Sequence, residues 1–434
     1  MRLTKILGRF TLGTFLDSVA KVVGGNAVVS LISLVASVFV ARWTPPYQLG
    51  VWNLVLLVTI YAPIIQLGVF NGLNRQLPYF IGRGDRATAT RMAEVSYAWC
   101  LALMALSSLA TLPAVLHYWL AGDLTRAYTV LAVGLIVTLS WPTQFLTVTY
   151  RTSAEFGRMA ARNTVVAVIG APLTLLVMVF GYLGLIARAV LLAALAVVAL
   201  HYKRPMRVQP AWDRGVLMQL GKVGMPIWML GQFGVFFLTL DRIVLADSPL
   251  SLGYYSIAVQ ASTFAGMIPT AITMVMYPQM VQKYGESHNA IAVWNTARRG
   301  AVAAVGLGAV AALCGWLLVP YFIAYLVPAY QPGTRAAQWA CLTGVAMGLS
   351  VYNNVFNVIQ RQDIYLISWL VGLAVFFASW YALTHFLGQV DTVAAIQSML
   401  LAILLMSVAA LLLSRIACLQ HDRRRAAVPA ELAT

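Results

Sequence analysis

Polar side chains set inside apolar sequence are where this chain could do chemistry. Asp17 and Lys21 lie four residues apart at the head of a long apolar run, so on a helix they share a face. Two readings stand for them: an interfacial ion pair with Lys21 reaching toward the headgroups, or a cation presented to an internal cavity. Asp241-Arg242 falls within another apolar run. Adjacent helical residues diverge by about 100°, so the two need not pair, and at least one is expected to face a polar interior or a neighbouring helix. Arg42 closes the first apolar run beside Pro45-Pro46, as an interfacial anchor or a cavity cation. Ser350, Asn353, Asn357 and Gln360 follow offsets of three, seven and ten, which put them on one helical face with Asn354 at its edge. Amides are costly against lipid, so this face is expected to meet protein or water. Asn53, Gln66, Asn71 and Asn74 scatter over an earlier run without one stripe. Each of these groups is expected either to face a polar interior or to pair with a neighbouring helix or the interface.

Signatures of catalysis are lacking. The five histidines, at 117, 201, 288, 385 and 421, are scattered, and the four cysteines stand singly in apolar segments. Neither has metal-ligand spacing, and the cysteines read as buried, inert thiols. No glycine-rich phosphate loop ends in Lys-Ser or Lys-Thr. The chain is therefore expected to be no enzyme, with no cofactor and no metal.

The elements that position these residues follow from composition. Of 434 residues 61% are hydrophobic and 10% charged, against about 25% charged in soluble domains. Mean hydropathy is +0.81. Several apolar stretches exceed the ~18 residues a spanning helix needs, and none alternates as barrel strands do. The chain reads as an all-α polytopic membrane protein. Its net charge of +16 would suggest nucleic acid in a soluble protein, but there is no soluble domain here to carry a basic groove.

Twelve spans are predicted, at 18–41, 48–72, 93–116, 126–149, 163–182, 184–201, 223–246, 252–276, 299–326, 336–358, 364–386 and 393–417. The first is read as a spanning helix, not a cleaved signal. The fifth and sixth share one apolar stretch from Asn163 to Leu200, too long for a single crossing, so a tight turn is predicted at Gly181-Tyr182-Leu183-Gly184. With both termini cytoplasmic, 23 of the 29 Lys and Arg fall on the inside, and Arg42, Arg126, Arg188, Arg242 and Arg335 remain on outer positions.

Landmarks recur about 200 residues apart. Leu49-Gly50-Val51-Trp52, Pro63, Pro78-Tyr79 and Gly84-Asp85 are answered by Leu252-Gly253-Tyr254-Tyr255, Pro269, Tyr277-Pro278 and Gly285-Glu286. Six spans precede and six follow a basic, proline-bearing linker. This gives an N-terminal bundle at 1–202, a cytoplasmic linker at 203–222, a C-terminal bundle at 223–418 and a cytoplasmic tail at 419–434 expected to be disordered. Both bundles enter from the same side, the parallel type of internal repeat.

Arg42 with Leu49-Gly50-Val51-Trp52, Gln66-Leu67-Gly68, Gly72-Leu73-Asn74-Arg75 and Gly84-Asp85 resembles the N-terminal half of bacterial polysaccharide flippases of the multidrug/oligosaccharidyl-lipid/polysaccharide (MOP) exporter superfamily. Leu240-Asp241-Arg242-Ile243 leading to Leu252-Gly253-Tyr254-Tyr255 resembles the opening of their C-terminal half. Trp43-Thr44-Pro45-Pro46 departs from the Leu-Gly-Pro often found in relatives, with the turn chemistry kept. The resemblance implies a MATE-like pair of pseudo-symmetric six-helix bundles around a polar, cationic cavity. It implies a bacterial inner-membrane flippase for polyprenyl-pyrophosphate-linked oligosaccharides of surface polysaccharides such as O-antigen and lipopolysaccharide. Lys21 and Arg242 are then expected near phosphate, with Arg42 and Asp241 at the same site. Gln66, Asn353, Asn357 and Gln360 are expected near sugar. The partners expected are the lipid-linked oligosaccharide, membrane lipids, and glycan polymerase and chain-length machinery, with no nucleic acid. Two alternatives remain: a cation-coupled multidrug antiporter, which needs a membrane carboxylate, and a membrane glycan polymerase, which needs a large outer loop bearing paired acids.

Overall fold

The computed structural model describes residues 12–426 apart from 154, 288 and 360, with side chains left aside at 12–27, 278, 287, 362–363 and 424–426. Among the described residues all regular structure is helical. In chain order the helices are α1 (Leu12–Trp43), α2 (Pro46–Tyr61), α3 (Val69–Gly82), α4 (Arg86–Leu120), α5 (Leu124–Thr152), α6 (Phe156–Gly170), α7 (Leu175–His201) and α8 (Arg214–Phe237). They continue as α9 (Leu240–Ile243), α10 (Pro249–Ser287), α11 (Ala290–Leu326), α12 (Thr334–Cys341), α13 (Thr343–Gly348), α14 (Asn353–Val358), α15 (Gln362–Tyr381) and α16 (Asp391–Ala426). Eight helical stretches are long and apolar enough by themselves to cross a membrane. Pro46–Gln66 is one of the eight, and Phe156–His201 is another that doubles back on itself; beside them stand α1, apolar over Val28–Trp43, α8 with α9, and the interrupted run from α12 to α14. The whole is the all-α polytopic architecture expected.

Local chemistry sets the helix ends. Asp85, Asp123 and Asn289 each accept the backbone N–H three residues on at 3.0 Å, opening α4, α5 and α11. Asp213 accepts from Gly215 and Val216 and opens α8 inside the stretch read as linker. Its carboxyl is held below the usual carboxylate range, first by the Val216 N–H, then by Gly215 and by Arg91 at 3.4 Å. The N-terminus of α11 has a second cap from far away: Asp422 on α16 accepts from Ala290 and Ile291 at 2.9 and 3.0 Å.

The turn predicted between the fifth and sixth spans is present. Gly181 has φ 54° and ψ −127°, a conformation open to glycine, and the chain doubles back there. Gly184 lies against the Leu176 carbonyl, Arg188 bonds Thr174, and Leu192 packs on Gly170, so successive pairs recede from Gly181 as in an antiparallel hairpin.

Two compact units result. The first comprises the described residues of Met1–Thr44 and Val55–Val235; the second comprises Pro45–Leu54 and the described residues of Phe236–Thr434. The first is centred on Leu73, Leu77, Met92, Cys100, Trp141 and Phe145. In the second, α11 buries Ala297, Ala301, Ala304, Gly308 and Ala312 along one face, the small-residue packing by which membrane helices approach closely. Pro45–Leu54 brings the repeated motif together with its counterpart inside the second unit. A Cβ on Gly50 would strike the Pro249 carbonyl, and a Cβ on Gly253 would strike the Pro46 carbonyl. Each glycine thus sits over the carbonyl four residues before the other. The first unit repeats the device where α3 crosses α8, with Gly72 over the Leu220 carbonyl and Gly224 over the Gly68 carbonyl.

Gly253→Leu and Gly224→Leu are each expected to cost about 1–3 kcal/mol or more by overpacking. Gly285→Ala, where nothing lies within 4 Å of the added carbon, is expected to change little. Thermal unfolding of the detergent-purified protein measures the difference; equal melting temperatures for Gly253→Leu and Gly285→Ala would remove the crossing as a stabilising contact.

Candidate functional site

The second pass breaks where Gln66 sits. Pro63 begins a short 3₁₀ segment, Ala62–Gln66, and Leu67 (φ 52°) and Gly68 (φ 77°) both turn left-handed before α3 begins. Such a break strands backbone groups in apolar surroundings, and side chains must take them up. The Gln66 Oε1 accepts the Phe70 N–H at 3.3 Å, and its Nε2 donates to Gln144 Oε1 at 3.4 Å. Trp99 Nε1–H donates to the Gln66 carbonyl at 3.3 Å, and Trp228 Nε1–H to the Pro63 carbonyl at 3.1 Å. Gln66 is buried, with both ends of its amide engaged. Its visible work is to complete a broken helix.

Asp241 and Arg242 lie on α9, a single turn. Asp241 is 6% exposed. Tyr255 OH, on α10, donates to Asp241 Oδ2 at 2.7 Å, and the Arg242 N–H donates to Oδ1 at 2.9 Å. The Arg242 Nε stands 3.8 Å from the same oxygen and makes no hydrogen bond. Neighbours on a helix need not pair, yet here the carboxylate folds back onto the backbone of the next residue and the guanidinium stands within ion-pair range of it. Tyr255 was not among the candidates. An acid fourteen residues before a tyrosine that opens the next apolar run was the available signal, and only the turn between α9 and α10 makes it a contact.

The amide stripe holds only in part: Leu349–Tyr352 is 3₁₀, with three residues per turn, so Ser350 leaves the α-helical count, while Asn353 and Asn357 stay four apart on α14. Asn353 is buried with Oδ1 lacking a hydrogen-bond partner, Asn354 donates to the Val351 carbonyl at 3.2 Å, and Asn357 is exposed. Gln360 lies outside the described residues. Arg42 is exposed in the last turn of α1, where a cation complements the helix dipole. The side chains of Asp17 and Lys21 are outside the described set.

One cation that sequence reading tallied only as an outer-half charge proves to be structured. Arg188 on α7 borders a cavity of about 320 Å³ inside the first unit, formed by α1, α6 and α7. Its Nε donates to Thr174 Oγ1 at 3.2 Å. Among the described residues no carboxylate lies in ion-pair range of it, and no group of three or more His, Cys, Asp or Glu is placed to hold a metal.

Tyr255→Phe is expected to cost about 1–3 kcal/mol by leaving a buried carboxylate short of a donor. Asp241→Asn is expected to destabilise as well, and the double variant to lose less than the sum, since both changes break one bond. Denaturant or thermal melts of the three variants check this; strict additivity would sever the two residues.

Comparison with known proteins gives the following. A model of the family described as polysaccharide biosynthesis protein matches residues 87–324, more than half of the chain. Among curated proteins there is no significant match. An inward-facing multidrug resistance MATE family transporter of the MOP superfamily is similar in structure, with TM-score 0.66, 15% identity, and 91% of this chain and 96% of that chain covered. An outward-facing form of such a transporter gives 0.63, 15%, 94% and 96%. A MOP superfamily transporter from Pyrococcus furiosus, described by a binding pocket of reversed polarity, gives 0.61, 12%, 93% and 96%. On a fold shared with these transporters, the chain belongs to the polysaccharide biosynthesis protein family.

Proposed function

We propose that the protein is a flippase that carries a polyprenyl-pyrophosphate-linked oligosaccharide from the cytoplasmic to the periplasmic leaflet by alternating access. The observation that carries this reading is the conjunction of a polysaccharide-biosynthesis family match with a transporter fold. Such a cargo has an anionic diphosphate, a hydroxyl-rich glycan and a hydrocarbon tail. A carrier must shelter the first two while the tail stays in lipid, because bare charge in hydrocarbon is costly. Arg242, whose Nε finds no hydrogen-bond partner among the described residues, and Asn357, exposed on α14, keep capacity for such contacts. Lys21, Arg42, Asn353 and Gln360 remain proposed cargo contacts, while the hydrogen bonds of Gln66 and Asp241 support structural duties instead. The proposal places the chain in a bacterial inner membrane with both termini cytoplasmic, serving surface glycans of the O-antigen or lipopolysaccharide kind alongside polymerase and chain-length machinery.

A second reading, the cation-coupled drug antiporter, is favoured by one observation: Asp241 is a buried carboxylate. Its oxygens already receive Tyr255 OH and the Arg242 N–H, with the guanidinium close by, which leaves a coupling cation little charge to bind. A polymerase is disfavoured because Asp123 caps α5 while paired with Arg126 at 3.3 Å, and Asp391 begins α16, so neither sits on a large loop.

Deleting the gene is expected to abolish surface polysaccharide and to trap lipid-linked units on the cytoplasmic leaflet, read by leaflet-specific lectin labelling. Normal glycan display with altered drug tolerance would transfer the case to the antiporter.

A further inference from the structure

Among the described residues no carboxylate balances the cation at the cavity in the first unit. Arg188 lies seven residues beyond Gly181, about 10 Å along α7, well within an apolar segment. A guanidinium has five N–H donors. Nε–H goes to Thr174 Oγ1, and the other four make no hydrogen bond to any described residue. An arginine at membrane depth is ordinarily paired or wetted, because an uncompensated charge there is costly. Here the space beside it is a cavity of about 320 Å³, the scale of a small-molecule site.

The lining is amphiphilic. Ser33 on α1 and Asn163 on α6 add a hydroxyl and an amide to the walls of the same cavity, while Val29, Ile32, Val166 and Leu192 supply hydrocarbon. Val29, Ile32, Ser33 and Ala36 follow helical spacing and form one face of α1. An inorganic anion would use the polar side alone and leave the apolar walls against water. An apolar ligand would leave the guanidinium unanswered. A phosphate carried on a hydrocarbon chain answers both, and the planar fork of arginine suits two phosphate oxygens at once.

We infer that the pocket between α1, α6 and α7 binds the phosphate of a lipid-anchored anion, with Arg188 as its phosphate-holding residue. Two sources share that chemistry: the diphosphate cargo, which rests on the function proposed above, and an ordinary anionic phospholipid resident in the carrier. Either places an anion site inside the first unit.

The test titrates the detergent-purified full chain with farnesyl pyrophosphate, phosphatidylglycerol and zwitterionic phosphatidylcholine, and reads occupancy by native mass spectrometry. Arg188→Gln is expected to weaken binding of an anionic probe at least about tenfold, the usual scale for a lost charge-assisted hydrogen bond, and Arg188→Lys to weaken it less. Ala167→Phe, which fills the cavity and keeps the charge, is expected to match the glutamine variant and carries the test should that variant misfold. A loss confined to farnesyl pyrophosphate assigns the site to cargo; a loss for phosphatidylglycerol assigns it to resident lipid. Wild-type affinity for both anionic probes in both variants overturns the inference. The two proposals fail separately. A deletion strain that traps glycan while the variants bind normally sinks only the pocket. A strain with normal glycan display, while Arg188→Gln still loses the anion, sinks only the flippase.

Discussion

The close approach of paired helix backbones at glycine is the contact on which the rest of this structure depends. Lipid tails are as apolar as leucine, so burial gives membrane helices little reason to associate, and shape and dispersion must hold them. At Gly50 and Gly253, and again at Gly72 and Gly224, each helix lets the other's carbonyl rest where a side chain would stand. The register is reciprocal, four residues in each direction, as symmetry between two related helices requires. Around the first crossing Trp52, Leu252 and Tyr255 are buried, and Tyr255 in turn holds Asp241. The carboxylate in the second unit is therefore placed by a backbone contact a few residues away.

The same economy governs the polar interior. Where the second pass breaks, the freed groups are met by an amide and two indoles, Gln66, Trp99 and Trp228. Where α9 is a single turn, its acid bonds the neighbouring backbone and a tyrosine. Candidate residues that looked like ligands are in these cases supports. The residue that keeps four donors unanswered among the described residues, Arg188, is one whose setting in the chain is apolar on both sides.

How far the sequence could be read follows from the range of the forces involved. The all-helical class and the reversal at Gly181 were legible because they depend on length and hydropathy: 38 apolar residues do not fit one bilayer. The repeated Leu-Gly-x-aromatic motif was legible as a repeat, but not as a contact between its two copies, because nothing local states which carbonyl a glycine will meet. The stripe misled at Ser350, which a 3₁₀ segment takes off the α-helical count, and nothing in Leu349–Tyr352 announces it. Arg188 was passed over because charges were weighed by the side of the membrane they marked. Its meaning lies in its bond to Thr174 and in the cavity it lines with Ser33 and Asn163, which forms only when the hairpin and α1 pack together.

The reciprocal glycine crossing also sets a schedule. Gly50 leaves the ribosome about 200 residues ahead of Gly253, which at roughly 5–20 residues per second is an interval of about 10–40 s. Through that time the notch at the head of α2 is without the helix that fills it in the folded chain. The second unit is completed later still, when Asp422 emerges and closes the open end of α11. The helix α16 therefore finishes an assembly that the head of α2 began.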